Sequence, residues 1–346
     1  MTRKRTTAAV LAVLGVTALT LTAWTSLAGA SSSRQSGTIT GAGATFPAPL
    51  IAKWQGAYKP SKIVYSAIGS GGGIAAITAR TVDFGASDAP LTPDQFKACK
   101  GCVQVPWAFS ATSIPYNIPG VGGGLKLTGP ILAGIYMGSI KYWDNAAIKK
   151  INSGLNLPHT KITPIFRSDG SGTSYNFTDY LSHVSKSWKS KIGKGTQPNF
   201  PTGVGARGSS GVAGKLKTTE GGLTYVDVAY SLNNHFTIAR VKNRAGRYQL
   251  PGIIQIRAAA ASLKKIHSKD NSITVVDPNP RQPKAYPICT FTYSLLPLKS
   301  PKAAELKKFI DWALTKGQAY GPKLRFVPLP KIVQQAGRKT LAKVHT

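Results

Sequence analysis

Glycine and hydroxyl-bearing residues gather in four short turns of this chain, and the sequence predicts a helix after each turn. Glycine lets the backbone bring several N–H groups close to one ligand, and a helix N-terminus adds partial positive charge. Such a turn suits an oxyanion. None of the turns ends in Gly-Lys-Ser/Thr, so none is a nucleotide P-loop. The four turns lie at residues 40–47, 69–73, 167–174 and 205–211.

Turns of this composition also occur without any ligand. Ser and Thr cap helices and glycine makes tight connections, which is the commoner role of one isolated turn. Three turns that place hydroxyls beside glycine in one chain favour oxyanion binding over capping alone.

Acidic residues are scarce, and their positions indicate which anion would bind. Asp83 and Asp88 lie together at 82–90, and Asp169 lies inside the third turn. A carboxylate repels a nearby anion unless it accepts a proton from it. Phosphate carries such a proton at neutral pH and sulfate does not, so an Asp in the site would favour phosphate and reject sulfate. The alternative for Asp88, a cap for the turn before Pro90, stays open.

Short β-rich runs alternate with helical stretches along the chain, which predicts an α/β fold. A chain that continues for 316 residues after residue 30 exceeds the roughly 250–300 residues at which one core stops growing, so two lobes are expected. Strands are predicted at 62–68, 82–86, 103–118 and 223–230. Helices are predicted at 49–58, 73–78, 130–137, 174–183 and 303–316.

The N-terminus has the pattern of a secretory signal peptide at residues 1–30. Basic residues at 3–5 precede an apolar run at 8–24 and the small residues at 28–30. An uncleaved membrane anchor is the alternative, although the run is shorter than the ~20 residues that a span needs. The region before the cleavage site resembles a lipoprotein signal without its Cys, so the protein is expected outside the cytoplasmic membrane and not lipid-anchored.

The chain is strongly basic, with 44 Lys and Arg against 12 Asp and Glu and a formal charge of +32. Its composition, 42% hydrophobic and 9% aromatic, excludes a disordered basic tail. Removal of residues 1–30 takes away three basic and no acidic residues, which lowers the charge to +29. The charge would attract anions, hold the protein near an anionic cell envelope, or tolerate an acidic exterior. Aromatic residues do not alternate with Lys and Arg, so no specific nucleic-acid partner is expected.

Three cysteines occur, at 99, 102 and 289. In an exported protein, Cys99 and Cys102 could close a small disulfide loop. A thioredoxin-like redox pair would open a helix after a strand, whereas Cys102 here runs directly into a β-like stretch. The five His are scattered without metal-ligand spacing, so no metal site is expected.

Six motifs, in this order, resemble the substrate-binding protein of the high-affinity phosphate ABC importer. The resemblance extends from about residue 38 to 330 and implies a two-lobed periplasmic-binding-protein fold, with phosphate in the cleft between the lobes. It implies a first lobe at 31–110 plus 288–346 and a second lobe at 111–287. The motifs are GAGATFPAP at 41–49, IGSGGG at 68–73, VDFGASDAPL at 82–91, YNIPG at 116–120, IKYWD at 140–144 and RSDGSGTS at 167–174.

The resemblance also implies a phosphate-binding set in which hydroxyls and backbone N–H groups donate to the anion. Asp88 would accept the phosphate proton, and Asp169 would hold the guanidinium of Arg167, the only cation in the set. Binding would draw the two lobes together. No ligand contact is expected from 205–211 or 221–222. The implied set is Thr45, Ser70, Asp88, Arg167, Asp169, Ser171, Gly172 and Thr173.

The expected function is therefore a monomeric, cofactor-free phosphate receptor that delivers its ligand to the membrane permease subunits of an ABC importer. An exported phosphatase would need a nucleophile with an activating base or a metal cluster, and no Asp or His clusters near a Ser in the sequence. The alternative is a secreted or wall-associated phosphate scavenger without an importer, which the missing lipid-bearing Cys and the basic charge favour.

Overall fold

The computed structural model describes residues 37–266 and 268–346, so the predicted signal peptide lies outside the described residues. The strands are β1 (Thr38–Gly43), β2 (Lys62–Ala67), β3 (Phe84–Ser87), β4 (Cys102–Ser113), β5 (Pro115–Asn117), β6 (Lys126–Leu127), β7 (Thr163–Arg167), β8 (Val204–Ala206), β9 (Gly222–Thr224), β10 (Val226–Asp227), β11 (Thr237–Ile238), β12 (Arg240–Lys242), β13 (Tyr248–Gln249) and β14 (Cys289–Pro297). The helices are α1 (Ala48–Ala57), α2 (Ser70–Thr78), α3 (Pro93–Cys99), α4 (Gly129–Tyr136), α5 (Ala146–Ile151), α6 (Gly172–Val184), α7 (Lys186–Lys191), α8 (Gly208–Lys217), α9 (Val228–Asn233), α10 (Ile253–Ala261), α11 (Ala303–Leu314) and α12 (Lys331–Leu341). Within these ranges, no helix combines the length and apolar character that a membrane span requires.

The strands form two large sheets and one small one. The six-stranded sheet has the order β10-β4-β14-β3-β1-β2, and the five-stranded sheet has the order β11-β5-β9-β7-β8. Parallel pairing joins β1 to β2 and β3, and it joins β7 to β8 and β9. In each sheet the carboxyl ends of neighbouring parallel strands therefore meet at one edge, where their following helices begin.

The chain passes from the first sheet to the second at Ile114, which is fully buried between β4 and β5. The chain returns to the first sheet through β14. Just before β14, the carbonyl of Ile288 accepts the N–H of Thr112 at 2.8 Å. The six-stranded sheet therefore combines strands from both ends of the described chain with β10. The finer lobe boundaries, 31–110 plus 288–346 and 111–287, stay a prediction.

The five predicted helices are confirmed with shifted ends, and the strand predictions fail in two places. The run at 103–118 is divided between β4 and β5. The run at 223–230 is wrong as one strand, because β9 and β10 are followed by α9 from Val228. Asp227 ends the strand there, since its carboxylate accepts the N–H of Ala229 at 2.9 Å and caps the helix.

Aromatic side chains fill the interior on both sides of the crossing. Trp54 and Trp107 pack edge to face behind the first sheet, with ring centroids 5.1 Å apart. Phe177 and Tyr225 stack at 4.5 Å behind the second sheet. Burial of each such side chain contributes about 1.5–3 kcal/mol. Tyr225 also links this core to the site, because its hydroxyl accepts the backbone N–H of Arg167 at 3.1 Å.

Cys99, at the end of α3, and Cys102, at the start of β4, are paired as a disulfide with Cα atoms 5.6 Å apart. The guanidinium of Arg80 lies against this loop and donates to the carbonyl of Cys99 at 2.8 Å. Cys289 is a buried free thiol whose pKa is raised well above its usual range by burial. The pair therefore fixes a short loop behind the C-terminus of α2.

Candidate anion-binding site

The turns that precede α1, α2, α6 and α8 meet at one place in the molecule. Hydrogen bonds join them across long separations in sequence. The hydroxyls of Thr45 and Ser209 lie 2.7 Å apart, and the N–H of Gly172 donates to the hydroxyl of Ser70 at 3.0 Å. Each of these helices is nine to thirteen residues long. The partial positive charges at their N-termini therefore lie close together and would act jointly on an anion bound among them.

All eight residues implied by the resemblance lie in this cluster. Asp169 is partly exposed and the other seven are buried. Such burial strengthens electrostatic interactions and makes an unpaired polar group costly. The buried members are Thr45, Ser70, Asp88, Arg167, Ser171, Gly172 and Thr173.

Arg167 is held by Asp169 through two parallel hydrogen bonds. Its Nε donates to Oδ1 at 2.7 Å, and one terminal nitrogen donates to Oδ2 at 2.5 Å. Burial raises the pKa of Asp169, but the hydrogen bonds and charge of Arg167 and the N–H of Gly208 outweigh it and keep that pKa below its usual range. The guanidinium is therefore fixed in orientation, and part of its charge is offset.

The other terminal nitrogen of Arg167 points to the hydroxyl pair on the opposite turns. It donates to Oγ1 of Thr45 at 3.0 Å and lies 3.4 Å from Oγ of Ser209. Tyr225 fixes the base of the same side chain, and burial raises the pKa of its phenol to about 12. The side chain of Arg167 therefore extends across the cluster, while its backbone is held by the buried phenol of Tyr225.

The turn at 69–73 packs directly on the turn at 167–174. The N–H of Gly71 donates to the carbonyl of Gly170 at 2.9 Å. Gly69 has φ of +92°, and a Cβ there would lie 2.4 Å from Oδ2 of Asp169. Only glycine fits that position, because any side chain would strain the backbone and collide with the carboxylate that holds Arg167.

Asp88 is a buried carboxyl with one oxygen unused. Its Oδ1 has no hydrogen-bond partner among the described residues, and neither has Oγ1 of Thr173. Burial raises the pKa of Asp88 to about 7, against the lowering effects of Arg167 and of the hydroxyls of Thr292 and Ser70. Near neutral pH this carboxyl can therefore either accept or donate a proton.

The turn before Pro90 is held by Ser87 and not by the carboxylate of Asp88. The hydroxyl of Ser87 donates to the carbonyl of Ala89 at 2.6 Å and accepts its N–H at 3.1 Å. The carboxyl of Asp88 is thereby left facing the cluster.

Ser171 has a structural role that leaves its proton available. It caps α6, because its Oγ accepts the N–H of Ser174 at 3.1 Å. A hydroxyl that accepts one bond can still donate another. The capping and binding roles of this turn are therefore compatible.

The turn at 205–211, from which no ligand contact is expected, lies against this cluster. The N–H of Gly208 donates to Oδ1 of Asp169 at 3.0 Å, and Ser209 contacts both Thr45 and Arg167. Tyr230 of α9 was also missed, and its hydroxyl donates to the carbonyl of Thr45 at 3.1 Å. The signal for Ser209 was present, since its turn has the same glycine and serine composition as the other three.

The cluster has the donor set of an oxyanion site and not of a metal site. Across residues 37–266 and 268–346, no three His, Cys, Asp or Glu side chains lie together so that they could hold a metal ion. One fixed guanidinium, several hydroxyls and helix N-termini all present hydrogen-bond donors.

Comparison with known proteins shows the family to which this chain belongs. Residues 28–316 match the family described as a PBP superfamily domain. The phosphate-binding protein PstS of Xylella fastidiosa is 41% identical over 299 residues, which cover 84% of this chain and 81% of that protein. The PstS of Pasteurella multocida is 38% identical over 308 residues, with 87% and 89% covered. The chain belongs to the PstS family of phosphate-binding proteins.

Solved structures show the fold of this PstS-family chain. A high-affinity periplasmic phosphate-binding protein (PfluDING), crystallised with phosphate, aligns with a TM-score of 0.71 at 23% identity. The alignment covers 87% of this chain and 93% of the other. The chain therefore has the two-lobed α/β fold of the periplasmic binding proteins, as its motifs predicted.

Proposed function

We propose that this PstS-family protein binds inorganic phosphate outside the cytoplasmic membrane and delivers it to the permease subunits of an ABC importer. The proposal rests on one observation. Asp88 is a buried carboxyl with one oxygen that has no hydrogen-bond partner among the described residues, and it lies in the same cluster as the guanidinium of Arg167, which is held by Asp169. That combination suits an anion that both accepts and donates hydrogen bonds.

The chemistry divides between donors and one acceptor. Arg167 supplies a charge-assisted bond, and the hydroxyls of Ser70, Ser171 and Thr173 with the N-terminus of α6 supply neutral ones, while Oγ1 of Thr45 accepts from Arg167 and helps to orient it. Asp88 accepts the proton that phosphate carries at neutral pH. Sulfate has no such proton, so an ionised Asp88 repels it in a site shielded from water.

Closure of the two lobes follows from the bonds that cross between them. With the boundaries 31–110 plus 288–346 and 111–287, Ser70 and Thr45 belong to the first lobe. Their partners Gly172 and Arg167 belong to the second. A phosphate ion bound to both sides would stabilise this closed arrangement over an open one.

The binding role requires no catalysis, because the site holds its ligand through hydrogen bonds and releases it when the lobes open. Residues 1–30 would direct export as a signal peptide, and the mature chain would act as a monomer without a lipid anchor. The sequence similarity to PstS proteins favours an importer receptor over a scavenger.

Titration of the refolded mature protein with phosphate, arsenate and sulfate, followed by calorimetry and Trp fluorescence, tests the binding function. Saturable phosphate binding at micromolar concentrations or below is expected, with much weaker sulfate binding. Arg167→Ala should abolish it. Arg338→Ala is the matched control, because that arginine pairs with Asp311 at 2.7 Å on the surface. A wild-type protein that does not bind phosphate at micromolar concentrations would refute the proposal.

Delivery needs a separate measurement. Vesicles that contain the cognate permease should take up phosphate when the wild-type protein is added and should not when Arg167→Ala is added. A protein that binds phosphate but gives no uptake with its permease would leave the scavenger as the function.

A further inference from the structure

The hydroxyls of Thr45 and Ser209 form a buried pair 2.7 Å apart. Thr45 precedes α1 and Ser209 is the second residue of α8, so 164 positions separate them in sequence. Neither side chain has appreciable exposure, at 5% and 0% for the two residues. Each hydroxyl proton must therefore find its acceptor inside the cluster.

The hydrogen bonds around Thr45 fix which hydroxyl donates. Its Oγ1 accepts from Arg167 at 3.0 Å and from the N–H of Ser209 at 3.3 Å. A hydroxyl oxygen accepts two hydrogen bonds, so both positions are taken. The proton of Thr45 therefore points to the remaining neighbour, Oγ of Ser209.

Ser209 is left with a proton that has no acceptor among residues 37–266 and 268–346. Its Oγ accepts from Thr45 and lies 3.4 Å from the guanidinium of Arg167, and it makes no other hydrogen bond there. A buried donor without an acceptor is unfavourable, so this proton points to a ligand.

We propose that Ser209 is a further phosphate-binding residue, whose hydroxyl donates to the phosphate oxygen that Arg167 also binds. This inference rests on the proposed function. It adds a donor from α8 to the set that the sequence motifs implied, and it makes Thr45 and Ser209 a unit that presents one proton to the anion.

The test compares phosphate affinity by calorimetry in Ser209→Ala and Ser210→Ala. Ser210 is exposed in the same turn and serves as the matched control. Loss of a donor to a charged ligand should weaken phosphate binding about ten- to one-hundred-fold in Ser209→Ala and leave Ser210→Ala within about twofold of wild type. Wild-type affinity in Ser209→Ala would overturn the inference, whereas a wild-type protein that binds no phosphate would refute the proposed function instead.

A second pair of variants separates direct donation from support of Thr45. In a Thr45→Val background, Ser209→Ala should still weaken phosphate binding at least about fivefold, because the donor acts on the ligand itself. If Ser209→Ala leaves the phosphate affinity of the Thr45→Val protein unchanged, direct donation by Ser209 is overturned. If Ser209→Ala does not fold, as judged by its thermal transition, Ser209→Gly is measured instead, since glycine is tolerated near a helix N-terminus.

Discussion

The phenol hydroxyl of Tyr230 donates to the backbone carbonyl of Thr45 at 3.1 Å, across 185 positions of sequence. Burial and the nearby Asp227 and Asp88 raise the pKa of Tyr230 to about 12, although Arg167 lowers it. The phenol is therefore a donor throughout the physiological pH range. Because Tyr230 lies on α9 and Thr45 precedes α1, this bond joins the two proposed lobes without contacting the anion.

Tyr230→Phe should speed the release of phosphate. The variant keeps the ring and removes one bond, which contributes about 1 kcal/mol to the closed arrangement. We expect a three- to tenfold higher dissociation rate in stopped-flow Trp fluorescence, with a smaller change in association. Tyr320→Phe, at a residue that is 43% exposed, is the control. An unchanged dissociation rate would show that the bond does not stabilise closure.

Asp88→Asn should narrow the preference for phosphate over sulfate. The amide no longer repels sulfate and can donate to its oxygens, so the ratio of the two dissociation constants should fall by about tenfold or more. Asp83→Asn is the matched control from the same motif, because Asp83 is committed to Thr40 and Lys302. Equal discrimination in wild type and Asp88→Asn would remove Asp88 from the selectivity role.

The raised pKa of Asp88 predicts how stability changes with pH. Its carboxyl has a pKa of about 7 in the folded protein, against the usual 3.8, so the unfolded chain releases this proton first. Its ionisation therefore destabilises the fold progressively as the pH rises from about 4 to about 7. Asp88→Asn lacks this loss, so its free energy of unfolding relative to wild type should rise over that window by up to about 4 kcal/mol.

Urea denaturation of both proteins between pH 4 and pH 8 gives that difference directly. The effects of other carboxyls, including Asp227, cancel to first order because both proteins contain them. A difference that does not change with pH would mean that Asp88 titrates as it does in the unfolded chain.

The basic surface predicts salt-sensitive retention on an anionic cell envelope. The chain has 44 Lys and Arg against 12 acidic residues, yet only Arg167 is a cation of the proposed site. Charges on the surface are screened within about 10 Å at 0.1 M salt and about 3 Å at 1 M. The mature protein should sediment with cell-wall material at low salt and be released at high salt. Equal retention at both would exclude an electrostatic attachment.

Much of the proposed site could be predicted from the sequence, because its residues lie in short contiguous turns. Arg167, Asp169 and Ser171 fall within one such turn, and local backbone geometry brings them together. Glycine and hydroxyl composition alone pointed to an oxyanion, and the order of the motifs identified phosphate. In these turns the neighbours of a residue in sequence are also its neighbours in space.

The contacts that were missed depend on packing between distant elements. Ser209 meets Thr45 only because α8 and α1 begin at the same place, and no local pattern specifies that approach. The sequence predicts a strand at 223–230, because the apolar residues of this run are buried whether it forms a strand or a helix. The side chain of Asp227 decides between them, since it caps α9 and so places Tyr230 against Thr45.

Gly172→Ala should disable the site while leaving both cores intact. A Cβ at this position would lie 2.6 Å from Cβ of Asp88 and from Oγ of Ser70, and 2.7 Å from the N–H nitrogen of Asp88. The two Asp88 atoms belong to the backbone or are bonded directly to it and cannot swing away, so the turn at 167–174 could not approach Asp88 and Ser70 as closely as it does. We expect phosphate affinity to fall about ten- to one-hundred-fold with little change in the thermal transition, because overpacking of this size costs about 1–3 kcal/mol and acts on closure. Gly214→Ala is the control, since no atom lies within 4 Å of its Cβ position in α8. Calorimetry and small-angle scattering should show weak binding and no compaction with phosphate in Gly172→Ala, and wild-type behaviour in both would show that Ser70 and Gly172 need not meet when phosphate binds.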